Sequence, residues 1–266
     1  AYSERHVFHP LIFLCTISIA ILLQALSNMQ NDLGYTQRKA ETGNRKGFPR
    51  ATAMGWISIR TAKIAIAVMA VLTLLNTAVL VWFGGWIFAA VGVLSLLAAY
   101  CYMGGPKPIA YTPFGELVVL LTFGITSVWG TYYLQTGGLS INAALLGLAL
   151  GCFASAVLCV NNYRDREQDA VSGKCTLVVR YGRKFGENMY LGLGIAATLL
   201  CLWFVNTGQL TLIEFIWAPC VYLCMHALTW RKMVNIRSGK GLNRILGETS
   251  RNMLFLGILL AVALAA

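Results

Sequence analysis

The chain has 266 residues, 58% of them hydrophobic and only 12% charged, with 21 Lys and Arg against 10 Asp and Glu. A soluble domain carries about 25% charged residues, so this composition, with a mean hydropathy of +0.66, excludes a water-soluble globule. The formal charge of +11 would suggest nucleic acid on a soluble chain; on a membrane chain it points to cytoplasmic loops and anionic ligands, with the lipid bilayer and not nucleic acid as partner.

Crossing the hydrocarbon core as a helix takes about 20 apolar residues. Eight stretches reach or approach that length: 10–28, 62–82, 86–103, 114–134, 141–160, 188–206, 210–229 and 252–266. The expected fold is all-α: a polytopic membrane bundle of eight transmembrane helices, forming one membrane-embedded domain over 1–266. The connections alternate. Those at 83–85, 135–140 and 207–209 are tight and uncharged, whereas those at 29–61, 104–113, 161–187 and 230–251 are long and polar. Twenty of the 21 basic residues follow spans one, three, five and seven, and only Arg5 does not. The positive-inside rule places those long connections in the cytoplasm. Residues 1–9 and the C-terminus then face outward. The chain begins Ala1-Tyr2, and with an outward N-terminus a further helix is expected ahead of it.

Seven of the eight cysteines, all but Cys175, sit in apolar runs. They read as small hydrophobes, not as disulfides or zinc ligands. Gly147 and Gly151 have the spacing of close helix packing.

Acidic residues are scarce, which makes their placement informative. The end of span one reads Ser27-Asn28-Met29-Gln30-Asn31-Asp32, and the same end of span five reads Asn161-Asn162-Tyr163-Arg164-Asp165-Arg166-Glu167-Gln168-Asp169. Asn28 and Asp32, like Asn161 and Asp165, are four apart, and Asp169 follows after four more. Residues so spaced share a helical face. The two ladders lie 133 residues and four spans apart, which implies two related four-helix halves. Asp165 and Asp169 repel one another unless a cation lies between them, and Mg²⁺ takes one or two carboxylates together with waters and phosphate oxygens. The competing structural reading is a solvated helix end neutralised by Arg164 and Arg166. Basic residues follow both ladders, Arg50 after the first and Lys174 and Arg180 after the second. A diphosphate bridged by two Mg²⁺ ions and held by Lys and Arg would balance the charge.

These residues resemble the UbiA-type membrane aromatic prenyltransferases, and most of all the branch that acts on 1,4-dihydroxy-2-naphthoate in menaquinone synthesis. The resembling stretches are 26–32 (LSNMQND), 47–55, 102–135 with its PFGE and TYYLQ, and above all 161–182 (NNYRDREQDAVSGKCTLVVRYG). The resemblance implies transfer of a polyprenyl group from polyprenyl diphosphate to a dihydroxynaphthoate ring carbon with loss of CO₂, at the cytoplasmic face of the bacterial inner membrane. It implies one Mg²⁺ on Asn28 and Asp32 and another on Asp165 and Asp169 with Asn161, giving Asp32, Asp165, Asp169 and Lys174 the catalytic roles. Lys174, Arg50 and Lys107 would hold diphosphate, and Arg164 and Asn162 would contact substrate. Tyr102, Tyr132 and Tyr133 are candidates to face the allylic cation.

The chain departs from the family in two respects. The family usually has nine spans, against eight here. It also carries another Asp three residues after Asp32, where this chain has Tyr35; Glu41 lies near the place of a further family acid. Two other functions compete: the same chemistry on 4-hydroxybenzoate, homogentisate or a porphyrin or chlorin ring, and an anion transporter, for which His226 is the nearest ionisable group to a span centre.

Overall fold

A computed structural model describes residues 1–40 and 46–265; Glu41 and Arg45 lie outside the described residues. After a one-turn helix α1 (Tyr2–Arg5), the long helices are α2 (Pro10–Gln37), α3 (Ile59–Gly84), α4 (Ile87–Cys101), α5 (Gly115–Thr136) and α6 (Ile141–Val171). A short α7 (Leu177–Tyr181) leads to α8 (Arg183–Asn206), α9 (Leu212–Ile236) and α10 (Leu242–Ala263). Seven of these helices are long and apolar enough to cross a membrane. The eighth, α4, has 15 residues and is about 22 Å long, so it falls short of the roughly 30 Å hydrocarbon core.

The helices start where local chemistry supplies a cap. Ser58 Oγ accepts from Thr61 N, Ser140 Oγ accepts from Ala143 N, and Thr211 with Glu214 forms a reciprocal capping box. Several helices outrun the apolar stretch that announces them. α10 begins at Leu242, ten residues before the expected 252, because Glu248 ties Arg244 on its own helix to Lys232 on α9. Hydropathy finds the part of a helix that meets lipid, not the part that stands in water.

α2, α3 and α4 pack together in the first half, and α6, α8, α9 and α10 in the second. α5 joins them, lying most extensively against α6. Its segment Leu120–Thr126 is a π-helix, and here backbones nearly touch: a Cβ on Gly124 would stand 2.3 Å from the Gly147 carbonyl oxygen and 2.6 Å from Gly151 Cα. The second π segment, Ile216–Cys220 in α9, contains Pro219, which has no N–H to donate and shifts the helical ladder.

The two ends of the bundle differ. Trp82 and Trp86 project almost fully exposed around the α3–α4 turn, as interfacial aromatics do. At the same end, Glu4 Oε1 accepts from Ser140 Oγ, Asn142 Nδ2 and Gln209 Nε2, tying α1 to the short connections. The long polar connections lie at the other end.

Candidate active site

α6 has 31 residues and is about 46 Å long, half as long again as the hydrocarbon core. Its last three turns therefore extend past the apolar layer as helix and carry the Asn161–Asp169 ladder. α2 likewise continues to Gln37. The two helix ends meet at a cavity of about 190 Å³ whose wall includes Asn31, Tyr35, Arg50, Tyr102, Asn161, Asn162, Arg164, Asp165, Asp169 and Lys174. A larger recess of about 280 Å³, bounded by Gln30, Arg38, Tyr100 and Gly104, has no carboxylate in its wall.

Each cavity carboxylate faces a cation. Arg164 grips Asp165 with two parallel bonds, Nε to Oδ1 at 2.8 Å and Nη2 to Oδ2 at 2.7 Å. The remaining arm of Arg164 donates to Asn243 Oδ1 at 2.9 Å, and Asn243 in turn donates to the Lys46 carbonyl. Asp169 is 1% exposed; its Oδ1 lies 3.0 Å from Lys174 Nζ and accepts from the Tyr35 hydroxyl at 3.3 Å. Lys174 also donates to the Tyr35 hydroxyl. Burial pushes the Lys174 ammonium down and Asp169 opposes that shift.

The turn that presents Lys174 follows from sequence. Gly173, at φ +79°, closes the chain after α6, and Lys174 N donates to the Asp169 carbonyl. Cys175 N then donates to the Tyr111 carbonyl, fastening the strap to the segment after α4. Arg50 arrives from the α2–α3 connection, its guanidinium 3.4 Å from the Tyr35 ring centroid.

Oxygen donors from Asn161, Asp165 and Asp169 on one helical face suit a hard, oxygen-seeking cation such as Mg²⁺. Among the described residues no cluster of three or more His, Cys, Asp or Glu that could hold a metal ion exists, so a cation here would take the two carboxylates together with amide and ligand oxygens. Together with Arg50, Arg164 and Lys174, the wall is built to hold a multiply charged anion beside a divalent cation.

A match to the UbiA prenyltransferase family covers residues 1–246. The chain belongs to that family. It is an aromatic prenyltransferase of the UbiA type. It is 36% identical over 206 residues to the 1,4-dihydroxy-2-naphthoate octaprenyltransferase of Haemophilus influenzae, covering 75% of this chain and 67% of that one. To the enzyme of the same name from Escherichia coli it is 36% identical over 218 residues, covering 79% and 70%. A UbiA homologue from Aeropyrum pernix shares the fold at 15% identity with a TM-score of 0.75, over 96% of this chain and 90% of that one. A second, from Archaeoglobus fulgidus and bound to DMAPP and Mg²⁺, shares it at 12% identity with a TM-score of 0.65, over 95% and 88%.

In this UbiA member the second ladder lies where the sequence spacing expects it: Asn161, Asn162, Arg164, Asp165, Asp169 and Lys174 all line the cavity, with Arg50 and Tyr102. The first ladder is turned. Asn31 and Tyr35, and not Asn28 and Asp32, form the α2 face of the cavity wall. Successive helical residues are about 100° apart, so a choice between Asn31 and Asp32 is a choice of face. Asp32 spends both carboxylate oxygens on the next connection: Oδ2 accepts from Ala51 N at 2.8 Å, and Oδ1 accepts from Thr52 N at 3.0 Å and from the Thr52 hydroxyl. It thereby holds the turn bearing Arg50. Asn28 is exposed and accepts from Gln24 at 3.3 Å.

Three further expected contacts lie away from the cavity. Lys107 is exposed in the turn after α4. Tyr132 and Tyr133 stand in the last turns of α5, 17 and 18 residues from its start and so about 26 Å along the axis. There Tyr133 packs on Phe88 and Tyr132 on the Glu4 cluster. His226 is fully buried against the Tyr190 ring, with Nε2 on the Tyr190 carbonyl and Nδ1 on the Tyr222 hydroxyl; it braces the core and lines no pathway.

Sequence reasoning passed over Asn243, which steadies Arg164, and Glu116 on α5, which accepts from Asn162 Nδ2 at 2.8 Å. The signal for Glu116 was available: it is the sole charged residue between Lys107 and Arg164, at the start of an apolar span.

Proposed function

We propose that the chain transfers a polyprenyl group from polyprenyl diphosphate to 1,4-dihydroxy-2-naphthoate, releasing diphosphate and CO₂ and yielding demethylmenaquinol, the quinol form of demethylmenaquinone. The site faces the cytoplasm across the bacterial inner membrane, as the placement of 20 of 21 basic residues supports. The names of the bacterial relatives support the acceptor, and the DMAPP and Mg²⁺ of the Archaeoglobus homologue support the donor and the metal. The observation that carries the reading is a single cavity in which Asp165 and Asp169 stand with Arg50, Arg164 and Lys174.

Asp165 and Asp169, with Asn161 beside them, are the residues to hold Mg²⁺, which when bound supplies Lewis-acid stabilisation of the diphosphate. In the absence of substrate, Arg164 and Lys174 neutralise the two carboxylates. With the diphosphate present they turn to its oxygens, joined by Arg50. The allylic C–O bond then breaks with its electron pair leaving on the diphosphate, where preorganised positive charge lowers the barrier. The Tyr35 ring already carries Arg50 and Lys174, so Tyr102 and Phe48 are the other cavity aromatics able to face the allylic cation. The electron-rich ring attacks that cation, and the long prenyl tail lies along the apolar helices.

The test is direct. Detergent-solubilised protein given Mg²⁺, a polyprenyl diphosphate and dihydroxynaphthoate should form demethylmenaquinol with release of CO₂, recovered as demethylmenaquinone after oxidation in air. Retention of full activity in Asp165→Ala or Asp169→Ala would overturn the assignment of these carboxylates, and prenylation of 4-hydroxybenzoate in preference to the naphthoate would overturn the acceptor.

A further inference from the structure

Behind the cavity wall lies a carboxylate with no cation. Glu116 is 5% exposed and forms no ion pair among the described residues. Its Oε1 accepts from Asn162 Nδ2 at 2.8 Å, while its Oε2 is sealed from solvent with no hydrogen-bond partner. The first turn of α5 is pinned to α6 at the same point, because Ser155 Oγ donates to the Glu116 carbonyl at 2.9 Å. Burying an unpaired carboxylate oxygen is costly, and packing alone would be better served by Leu or Met.

Glu116 Oε1 is the acceptor in this contact, so Glu116 dictates which end of the Asn162 amide it meets. The NH₂ group must face Glu116. The amide oxygen is then turned the other way, and Asn162 belongs to the cavity wall. Among the described residues, Asn162 Oδ1 has no hydrogen-bond partner, yet it is not among the polar atoms sealed from solvent.

The two sides of the cavity differ accordingly. Lys174, Arg50 and Asp169 gather around Tyr35. Beside Glu116, a Cβ on Gly115 would lie 3.5 Å from Leu158 and 3.8 Å from the Tyr102 hydroxyl, both in the wall. An amide oxygen facing the cavity accepts from a hydroxyl and offers nothing to a diphosphate, whose oxygens are themselves acceptors.

We propose that Glu116 is a positioning residue: it locks Asn162 with its amide oxygen toward the cavity, where that oxygen accepts a hydrogen bond from a ring hydroxyl of the aromatic substrate. This rests on the function proposed above and adds to it the group that selects a hydroxylated ring.

The experiment compares wild type, Glu116→Gln and Glu116→Met. Gln keeps an oxygen for Asn162, whereas Met releases the amide. Glu116→Met should raise KM for dihydroxynaphthoate about 10-fold, the scale of one hydrogen bond, and leave KM for the prenyl diphosphate within about 2-fold. Glu116→Gln should restore most of the loss with an unchanged pH profile. Between 1-hydroxy- and 4-hydroxy-2-naphthoate, wild type should bind one of the two about 10-fold more weakly than the dihydroxy compound, and that penalty should vanish in Glu116→Met. Naphthoate fluorescence gives these affinities without turnover, so a wild type that binds the ring but does not prenylate it overturns the reaction and still decides the role of Glu116. Equal rises in both KM values, or a lower melting temperature with the hydroxyl penalty intact, would reduce Glu116 to a packing residue. Loss in Glu116→Gln as severe as in Glu116→Met, with a shifted pH profile, would overturn positioning in favour of proton transfer.

Discussion

The Tyr35 hydroxyl donates to Asp169 Oδ1 at 3.3 Å, joining the C-terminal ends of α2 and α6 across 134 residues of sequence. The same hydroxyl accepts from Lys174, and the ring lies beneath the Arg50 guanidinium. One phenol thus sets the spacing of an acid and two bases. Tyr35→Phe keeps the ring under Arg50 and removes only the hydroxyl. A hydrogen bond to a charged group contributes about 1.5 kcal/mol at the lower end, so KM for prenyl diphosphate should rise about 10-fold with little change in the KM for the aromatic acceptor. Steady-state kinetics with each substrate varied in turn checks it.

Asp32 and Asp169 are both aspartates at helix ends, but the geometry gives them different work. Asp169 lines the cavity, and Asp32 clamps the backbone at Ala51 and Thr52. Paramagnetic resonance of bound Mn²⁺ separates the two roles. Asp169→Asn should weaken Mn²⁺ binding by at least about 10-fold. Asp32→Ala should leave Mn²⁺ affinity nearly unchanged while raising KM for prenyl diphosphate, because the turn carrying Arg50 loses its anchor. A collapse of Mn²⁺ binding in Asp32→Ala would make Asp32 a ligand after all.

The contrast between those two aspartates also marks what the sequence could and could not convey. Span number and the long polar connections were legible because hydropathy and basic residues report on lipid and water directly. The second ladder was legible because Asn161, Asp165 and Asp169 occupy one face whatever that face looks toward. For α2 the same rule picked the Asn28/Asp32 face, whereas the structure turns the adjacent Asn31/Tyr35 face to the cavity, with Gly34 close against Met103. Tyr132 and Tyr133 were misplaced for another reason: aromatic residues are common at both ends of a membrane helix, and their type does not say which end. Glu116 acts through Asn162 on another helix, a pairing that no spacing within either segment encodes.

The helix contact at Gly124 leaves no room for even one methyl group. The obstructing atoms are backbone, the Gly147 carbonyl and Gly151 Cα, so no side-chain rotation relieves the clash and α5 must move off α6. Gly124→Ala should destabilise the fold by about 2–3 kcal/mol and displace Glu116 from Asn162 as well. Gly192→Ala is the control: its added Cβ would meet nothing within 4 Å, and Ala is the better helix former. Melting of the two variants in detergent should therefore shift in opposite directions, or only for Gly124.

The end of the bundle opposite the cavity offers a prediction in pH. Burial raises the Glu4 pKa, but hydrogen bonds from Tyr132, Asn142, Gln209 and Ser140 outweigh it and bring the group from 4.5 to about 2. A carboxylate depressed in the folded state stabilises the fold above its unfolded value and loses that contribution as pH falls through the folded one. Between about pH 4.5 and 2 the unfolded chain therefore binds more protons at this position than the folded one. Glu4 is partly exposed, so solvent screening keeps the contribution modest. Glu4→Gln should melt below wild type at pH 7, and the gap should narrow as the pH is lowered from 4.5 toward 2, when both side chains become neutral. A gap that stays constant down to pH 2 would mean that the Ser140, Asn142 and Gln209 contacts hold a neutral side chain as well as a charged one, and that the clamp on α1 owes nothing to ionisation.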